Sequence, residues 1–283
     1  MRRLAAALTL PAALALSALA GCSGLQLAYD NADTYLRWRL TADLDLHGEA
    51  LDELDERIQQ FMAWHRRQSL PQYARLADDA SQRLARGLSR EDMVWGYDAL
   101  TAQGSEFLVA VAERIGPMLD RLTPEQQAHL EERMADDNRK FARDFLRGSE
   151  AERRERRARR AEERLEDWVG RLSQAQVDRI RQFSERAPLT DELRQRDRKR
   201  LQAGLLEIVR ARGAEKRLPG YAARWRDERE AAFTAANEAW RRELYALLLD
   251  IDRTLAPVQR ARAVAQLQRY AGELRTLAAR ETP

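Results

Sequence analysis

Apolar residues recur at helical spacing along most of the chain. In the segment from residue 51 to 65, intervals of three and four place one set of side chains on a single face: Leu51, Leu54, Ile58, Phe61, Met62 and His65. Similar stripes run through residues 93–115 and 240–251. No run of alternating β-branched and polar residues is long enough to predict a strand. The pattern therefore predicts an all-α fold with no β-sheet.

Proline, glycine and capping residues separate these stripes and predict about eight or nine helices. Breaks are expected at nine places: Ser69 with Pro71, Gly87, Pro117, Thr123 with Pro124, Gly148, Gly170, Pro188, Pro219 with Gly220, and Pro257. The longest helix is expected from about Tyr221 to Thr254. Because short connections favour antiparallel neighbours, we expect an elongated bundle or array of helical hairpins.

A short motif recurs at predicted helix starts. Residues 122–126 (Leu-Thr-Pro-Glu-Gln) and 172–176 (Leu-Ser-Gln-Ala-Gln) share Leu-(Ser/Thr)-x-x-Gln, and residues 255–259 keep everything but the hydroxyl. The pattern predicts capping boxes, in which Thr123 or Ser173 accepts from the backbone of Gln126 or Gln176 and the glutamine reaches back. It also resembles the LTxxQ motif of periplasmic chaperones of the Spy and CpxP type. Plain helix capping is the simpler interpretation.

The first residues are typical of an export signal. Arg2 and Arg3 precede an apolar stretch that is too short to span a bilayer. Leu19-Ala20-Gly21-Cys22 resembles a bacterial lipobox, which predicts cleavage between Gly21 and Cys22 and lipidation of Cys22. The alternative is an ordinary signal peptide followed by an unmodified thiol. We expect residues 1–21 to be removed and residues 22–283 to form one helical domain, with a possible sub-division near 148–150.

The residues after the lipobox bear on location. By resemblance to enterobacterial lipoproteins, Ser23 rather than aspartate predicts export to the outer membrane, facing the periplasm. The expected partners are the membrane, through the lipid on Cys22, and an envelope protein; export removes the chain from nucleic acid. Tyr35 and Trp38 lie in an aromatic-rich start that either joins the core or rests on the membrane surface.

Composition adds few constraints. Of the 283 residues, 44% are hydrophobic and 34% charged, typical of a water-soluble body. The net charge is +3, and without Arg2 and Arg3 it is 49 − 46 − 2 = +1, which predicts no polyanion partner. One cysteine excludes a disulfide framework. His47, His65 and His129 share no ligand spacing, so we predict no metal site. No Gly-x-Ser-x-Gly elbow, P-loop or dinucleotide glycine fingerprint occurs, so we predict no cofactor and no catalytic residue.

The densest charge run is Glu150–Arg164, with seven arginines and five glutamates. Opposite charges lie four residues apart in three pairs: Glu150 with Arg154, Glu152 with Arg156, and Glu155 with Arg159. Such pairs stabilise an exposed helix by about 0.2–0.5 kcal/mol each, so the run predicts a solvated single helix. The alternative is contact with lipid phosphates or other anionic headgroups.

The whole mature sequence resembles a family of bacterial lipoproteins known as domain of unknown function 6279. The resemblance spans Cys22 to Leu277 and is carried by five segments: residues 22–29, 63–73, 122–126 with Asn138, 237–240 and 255–260. It implies a helical envelope lipoprotein with no assigned activity. The chain departs from the final motif in having Ala256 where a hydroxyl is expected.

Together these features favour a membrane-anchored, non-catalytic lipoprotein that acts as an envelope interaction or chaperone-like module, using grooves between amphipathic helices. One alternative is an envelope hydrolase or its helper, which a deep pocket with one desolvated glutamate beside an aromatic ring would support. Another is a structural spacer. The sequence does not predict an oligomeric state.

Overall fold

The computed structural model describes residues 24–280, and within that range every regular element is helical. Twelve α-helices follow one another: α1 Gly24–Asp30, α2 Ala32–Leu44, α3 Glu49–Trp64, α4 Leu70–Arg86, α5 Arg90–Leu119, α6 Pro124–Phe141, α7 Glu150–Val169, α8 Gln174–Arg186, α9 Asp191–Arg210, α10 Ala214–Ala223, α11 Ala231–Thr254 and α12 Pro257–Ala279. Two π-helical turns, His65–Ser69 and Ala142–Leu146, follow α3 and α6. The predicted all-α class is confirmed.

Three of the expected breaks are wrong. A π-helical turn joins α3 to α4 where Ser69 and Pro71 predicted an interruption, and the N–H of Leu70 donates to the carbonyl of His65. Pro71 is tolerated because it lies in the first turn of α4. Pro117 lies in the last turn of α5, and Pro219 lies inside α10. The longest helix is α5, with 30 residues, because residues 224–230 interrupt the helix expected from Tyr221 onward.

A first core lies between α2, α3, the second half of α5, α6, α9 and α10. Its fully buried side chains are mostly aliphatic: Leu44, Leu46, Leu54, Ile58, Met62, Met118, Leu119, Leu122, Leu206, Ile208, Val209 and Leu218. Helices α5 and α10 approach closely at Gly116, where an added Cβ would lie 2.9 Å from the Cα of Glu215. Only glycine permits so short a distance between two helix backbones.

A second core lies between α7, α8, α11 and α12, and includes Ala158, Ile180, Phe183, Leu247 and Ile251. A long antiparallel contact between α4 and α12 adjoins it, with a salt bridge between Asp78 and Arg275. The closest helix pairs, α4 with α12 and α5 with α10, are distant in sequence, although consecutive helices such as α7 and α8 also pack together. The first core takes residues from both sides of 148–150, and the domain division stays a prediction.

The predicted capping boxes are present. The hydroxyls of Thr123 and Ser173 accept from the N–H groups of Gln126 and Gln176, at 3.2 and 3.3 Å, and each glutamine Oε1 accepts in return. At the third motif Gln259 Oε1 accepts from the N–H of Ala256 at 3.0 Å, and alanine offers no acceptor for the reverse bond. These starts fix where α6, α8 and α12 begin.

The glutamines also join distant parts of the chain. Gln176 Nε2 donates to the carbonyl of Thr254 at 3.2 Å, while Gln259 Nε2 donates to the carbonyl of Arg171 at 2.9 Å. The two side-chain amides also lie within hydrogen-bonding distance of each other, at 3.2 Å. The motifs at residues 172 and 255 therefore meet in a reciprocal arrangement that holds the α7–α8 loop against the α11–α12 loop.

Candidate functional site: an arginine-lined groove

Two adjoining cavities form a groove over the second core. Their volumes are about 440 and 510 Å³, and Trp240 and Arg194 line both. Single ligands occupy cavities of about 300–1,000 Å³ in most proteins, so each half of the groove is of ligand size. We refer to the two cavities together as the arginine groove.

The floor of the first cavity is apolar. Leu244, Leu247 and Leu248 of α11 lie there beside Trp240, with Phe183 of α8. The leucines recur at spacings of three and four, which brings them to the face of α11 turned toward α7. This surface offers a hydrocarbon chain or an apolar side chain the contacts that water cannot make.

The wall of the cavity is built from α7. Arginines recur along one face of this helix and line the cavity: Arg153, Arg156, Arg157, Arg160 and Arg164. Arg194 of α9 adds a sixth guanidinium and lies 3.7 Å from Asp191, the one carboxylate of the lining. The cavity is therefore apolar beneath and strongly positive around its rim.

Two arginines of α7 serve the fold. Arg154 donates to the carbonyls of Ser184, Glu185 and Ala187 at 2.7–3.0 Å. Arg157 donates to the carbonyls of Ser184, Ala187 and Pro188 at 2.5–2.9 Å. Burial lowers the pKa of Arg157 to about 10, so its guanidinium stays charged at neutral pH. These bonds satisfy the carbonyl groups left open where α8 ends and fix α7 to α8.

Two other arginines of α7 are uncommitted. Within residues 24–280, Arg160 and Arg164 have neither a carboxylate partner nor a hydrogen bond, and Arg160 lies over the ring of Phe145 at 5.6 Å. Arg153 pairs with Glu192 at 3.0 Å, but its side chain is only 10% exposed and its Nε is buried with no hydrogen-bond partner in the described structure. The first cavity therefore presents unpaired positive charge beside an apolar floor.

The expectation of a solvated single helix at residues 150–164 is wrong. Helix α7 packs on α8 and α12, because Ala158 and Val169 are buried in the second core. Of the three predicted pairs only Glu155 with Arg159 forms, at 3.3 Å. Arg154 turns instead to the carbonyls of α8, and Glu152 caps its own helix through Ser149. The carbonyl groups at the end of α8 therefore bind Arg154, which the sequence pattern had paired with Glu150.

The second cavity differs in its charge balance. Guanidinium groups stack there on aromatic rings, with Arg226 at 4.8 Å from Trp225 and Arg241 at 4.4 Å from Tyr97. The buried Asp197 accepts from Arg229 at 3.1 Å. Here the positive charge is largely engaged by rings and by a carboxylate. In the first cavity two of the six guanidinium groups, those of Arg160 and Arg164, have no carboxylate partner among the described residues.

None of the three histidines lines the groove. His65, at the π-helical turn, is enclosed by aromatic rings, and its Nδ1 lies 3.2 Å from the hydroxyl of Tyr29. Burial lowers the pKa of His65 to about 4. His47 Nε2 lies 3.0 Å from Asp45, and His129 Nε2 lies 2.8 Å from the carbonyl of Ala42. No cluster of three ligating side chains suited to a metal ion occurs among residues 24–280.

The buried carboxylates are paired. Asp92, Asp197 and Asp252 each receive at least one arginine. Burial alone would raise the pKa of Asp92, but the N–H of Ser89 and two guanidinium groups outweigh it and lower that pKa. Glu273 has one buried oxygen without a partner in the described residues, yet it lines neither half of the groove. The feature that would support a hydrolase is not found in the groove.

The predicted lipidation and cleavage residues, Cys22 and Gly21, lie outside the described residues. Among residues 24–280 no helix has both the length and the apolar character needed to span a bilayer. The sequence analysis included Trp240 in an apolar stripe and in a segment of the family resemblance, but it did not single out Arg194. Arg194 reaches the groove through the packing of α9, which no local spacing reveals.

A family model described as a family of unknown function, DUF6279, matches residues 42–230, more than half of the chain. The matched range contains all of α7. No curated protein matches the chain, and no solved structure matches it. The chain belongs to the DUF6279 family.

Proposed function

We propose that this DUF6279 member is a lipid-anchored, non-catalytic binding module of the bacterial envelope, and that its arginine groove holds an anionic amphiphile. One observation carries the proposal: among residues 24–280, Arg160 and Arg164 have no carboxylate partner, and both lie beside the leucine floor of α11. A ligand that satisfies both features has a phosphate or carboxylate head and a hydrocarbon body.

The chemistry of the guanidinium group supports an oxyanion as the head. Its planar donors match the oxygens of phosphate or carboxylate, and hydrogen bonds to charged groups contribute about 1.5–3 kcal/mol each. Arg160 and Arg164 lie four residues apart, so one head group reaches both. The apolar tail would cover Leu244 and Leu248, where each buried methylene contributes about 0.8 kcal/mol.

The lipobox supports the proposed location. Cleavage before Cys22 and acylation of its thiol would confine the helical body to the periplasmic surface of a membrane, the outer one if Ser23 acts as it does in enterobacterial lipoproteins. A body held there meets anionic amphiphiles at high local concentration. Mass spectrometry of the membrane-bound protein is expected to find the chain starting at a lipidated Cys22. An unmodified cysteine would contradict the anchor.

The groove is tested by titration calorimetry of the chain from Cys22 to Pro283 with dodecyl phosphate below its micelle concentration. We expect the double variant Arg160→Gln/Arg164→Gln to bind at least tenfold more weakly than the wild type. The control variant is Arg159→Gln, since Arg159 belongs to the same helix but pairs with Glu155 and lines neither cavity. It should bind within twofold of the wild type.

Two further ligands separate charge from chain. Inorganic phosphate carries the head alone and dodecyl maltoside the chain alone, and each should bind at least tenfold more weakly than dodecyl phosphate. If dodecyl maltoside bound as tightly as dodecyl phosphate, the arginines would have no role in recognising the head group. Equal binding by the double variant would contradict the proposal, provided that circular dichroism shows its helices intact.

A further inference from the structure

The first two helices carry an exposed apolar stripe. Leu27 is 60% exposed, Tyr35 59% and Trp38 64%, among the highest exposures of large apolar side chains in the described residues. Tyr35 and Trp38 lie three residues apart on one face of α2, and Leu27 lies on the side of α1 opposite Tyr29, which packs against the first core. Two residues between Leu27 and Tyr35 in the sequence are exposed and uncharged: Asn31 and Thr34.

This exposed face is distinct from the face with which α1 and α2 pack against the first core. Tyr29, Leu36 and Leu40 pack against the first core from the other side of the same helices. Tyr29 also lies against His65. The sequence left open whether the aromatic start joins the core or meets the membrane; the structure divides it, with Tyr29 turned inward and Trp38 outward.

Asp33 is exposed and accepts a hydrogen bond from Thr34 of its own helix, but three other charged residues of the segment are directed toward the body. They form three ion pairs with distant helices or with the end of the chain: Asp30 with Arg280 at 2.6 Å, Arg37 with Asp55 at 2.7 Å, and Arg39 with Asp137 at 2.6 Å. A helix that faces water normally directs its charges outward. Here charges flank the stripe and hold the helices down, while the outermost face is free of them.

We propose that this stripe rests on the lipid surface, with Tyr35 and Trp38 at the level of the headgroups and Leu27 at the edge of the acyl chains. The occupant follows from where the stripe lies in the chain. Leu27 is the fifth residue after Cys22 in the sequence, so the inference rests on the lipid anchor of the proposed function. Amphipathic rings with one apolar and one polar end favour that interface.

The stripe gives the anchor an orientation. A lipid alone leaves a body free to swivel about its attachment, whereas a second contact along α1 and α2 fixes which face meets the bilayer. The ion pair of Arg39 with Asp137 connects this contact to α6, so the body would follow the segment rather than detach from it.

The test replaces cellular lipidation by chemical coupling. Cys22 is the one cysteine of the sequence, so the chain from Cys22 to Pro283 can be joined to a maleimide lipid in phosphatidylethanolamine–phosphatidylglycerol vesicles. Lipids with brominated acyl chains quench the tryptophans that they touch. We expect quenching in the wild type that falls at least threefold in Trp38→Phe and persists in the matched variant Trp168→Phe.

A second measurement does not depend on fluorescence. The uncoupled Cys22→Ser chain is mixed with the same vesicles, and Tyr35→Glu is expected to lower its partitioning at least fivefold. Val258→Glu places the same charge at another exposed apolar side chain, far along the chain in α12, and should leave partitioning unchanged.

The outcomes separate this inference from the rest. Quenching that is absent, or equal in Trp38→Phe and wild type, overturns it. Dimers of the uncoupled chain that Trp38→Glu converts to monomers, without quenching on vesicles, would assign the stripe to a second copy instead. Because coupling is artificial and the Arg160→Gln/Arg164→Gln variant should be quenched like the wild type, failure of the anchor or of the groove would be seen separately.

Discussion

The first core is closed by direct contact between helix backbones and apolar side chains, whereas the second core is closed by polar side chains that bond to carbonyl groups. At Gly116 the backbones of α5 and α10 approach so closely that no side chain fits between them. In the second core Arg154, Arg157 and Gln176 reach the carbonyls at the ends of α8 and α11.

This difference accounts for the position of the proposed ligand site. The buried side chains of the first core are apolar, and burial lowers the pKa of His65, which lies beside them, to about 4, so its ring is neutral at pH 7. The second core brings a row of guanidinium groups to its edge because α7 needs two of them for the fold, and its helical repeat carries the others, Arg160 and Arg164, along the same side. The arginines that hold α7 against α8 therefore also position the arginines of the proposed binding site.

The largest expected effect breaks the first core at its closest contact. In Gly116→Ala the new Cβ would lie 2.9 Å from the Cα of Glu215 and 3.0 Å from the carbonyl oxygen of Ala214. Both are backbone atoms, so α5 and α10 must move apart. We expect the free energy of unfolding to fall by about 3 kcal/mol, measured by urea denaturation.

Gly104 provides the matched control, since it lies in the same helix with nothing within 4 Å of an added Cβ. Gly104→Ala should raise the free energy of unfolding by about 0.5–1 kcal/mol through helix propensity alone. A loss in both variants, or in neither, would show that the α5–α10 contact does not govern the stability of the first core.

The next effect is a pH dependence that belongs to the first core. Burial lowers the pKa of His65 from 6.5 to about 4, so the folded state favours the neutral ring. The resulting stability is complete above pH 6.5 and is lost as the pH falls toward 4. Allowing for partial exposure of the ring, we expect the wild type to lose about 1–2 kcal/mol more than His65→Gln between pH 7 and pH 4.5.

Urea denaturation at the two pH values measures this difference, and subtracting the variant removes the contribution of the carboxylates. His47→Gln serves as the control, because His47 is exposed and pairs only with Asp45. Between pH 7 and pH 4.5, His47→Gln should lose as much free energy of unfolding as the wild type. If His65→Gln also lost as much as the wild type, the ring of His65 would be solvated and the surrounding aromatic rings would not keep it neutral.

The sequence predicted the helical class and the capped starts because both are local. Thr123 and Ser173 cap the turns that follow them, whatever packs nearby. The sequence analysis missed the π-helical turn that begins at His65 and the continuation of α5 through Pro117. In both places the helix continues although local sequence rules predict a break. The groove was missed because Arg194 and Trp240 are 46 residues apart, and only tertiary packing brings both to one cavity.

The smallest expected effect restores a missing bond in the second core. Ala256 already has the extended conformation, φ −61° and ψ 152°, that Thr123 and Ser173 adopt at their helix starts, and it is exposed, so a hydroxyl fits. In Ala256→Ser the new Oγ should accept from the N–H of Gln259 and complete the capping box. We expect the free energy of unfolding to rise by about 1 kcal/mol, with Thr123→Ala losing a similar amount as the reverse control.

Because Gln259 also bonds to Gln176 and Arg171, a gain would show that the junction between the α7–α8 and α11–α12 loops tolerates a tighter start of α12. No gain in Ala256→Ser alongside a loss in Thr123→Ala would mean that the glutamine pair alone holds this junction, and that the second core relies on contacts between motifs rather than on caps within them.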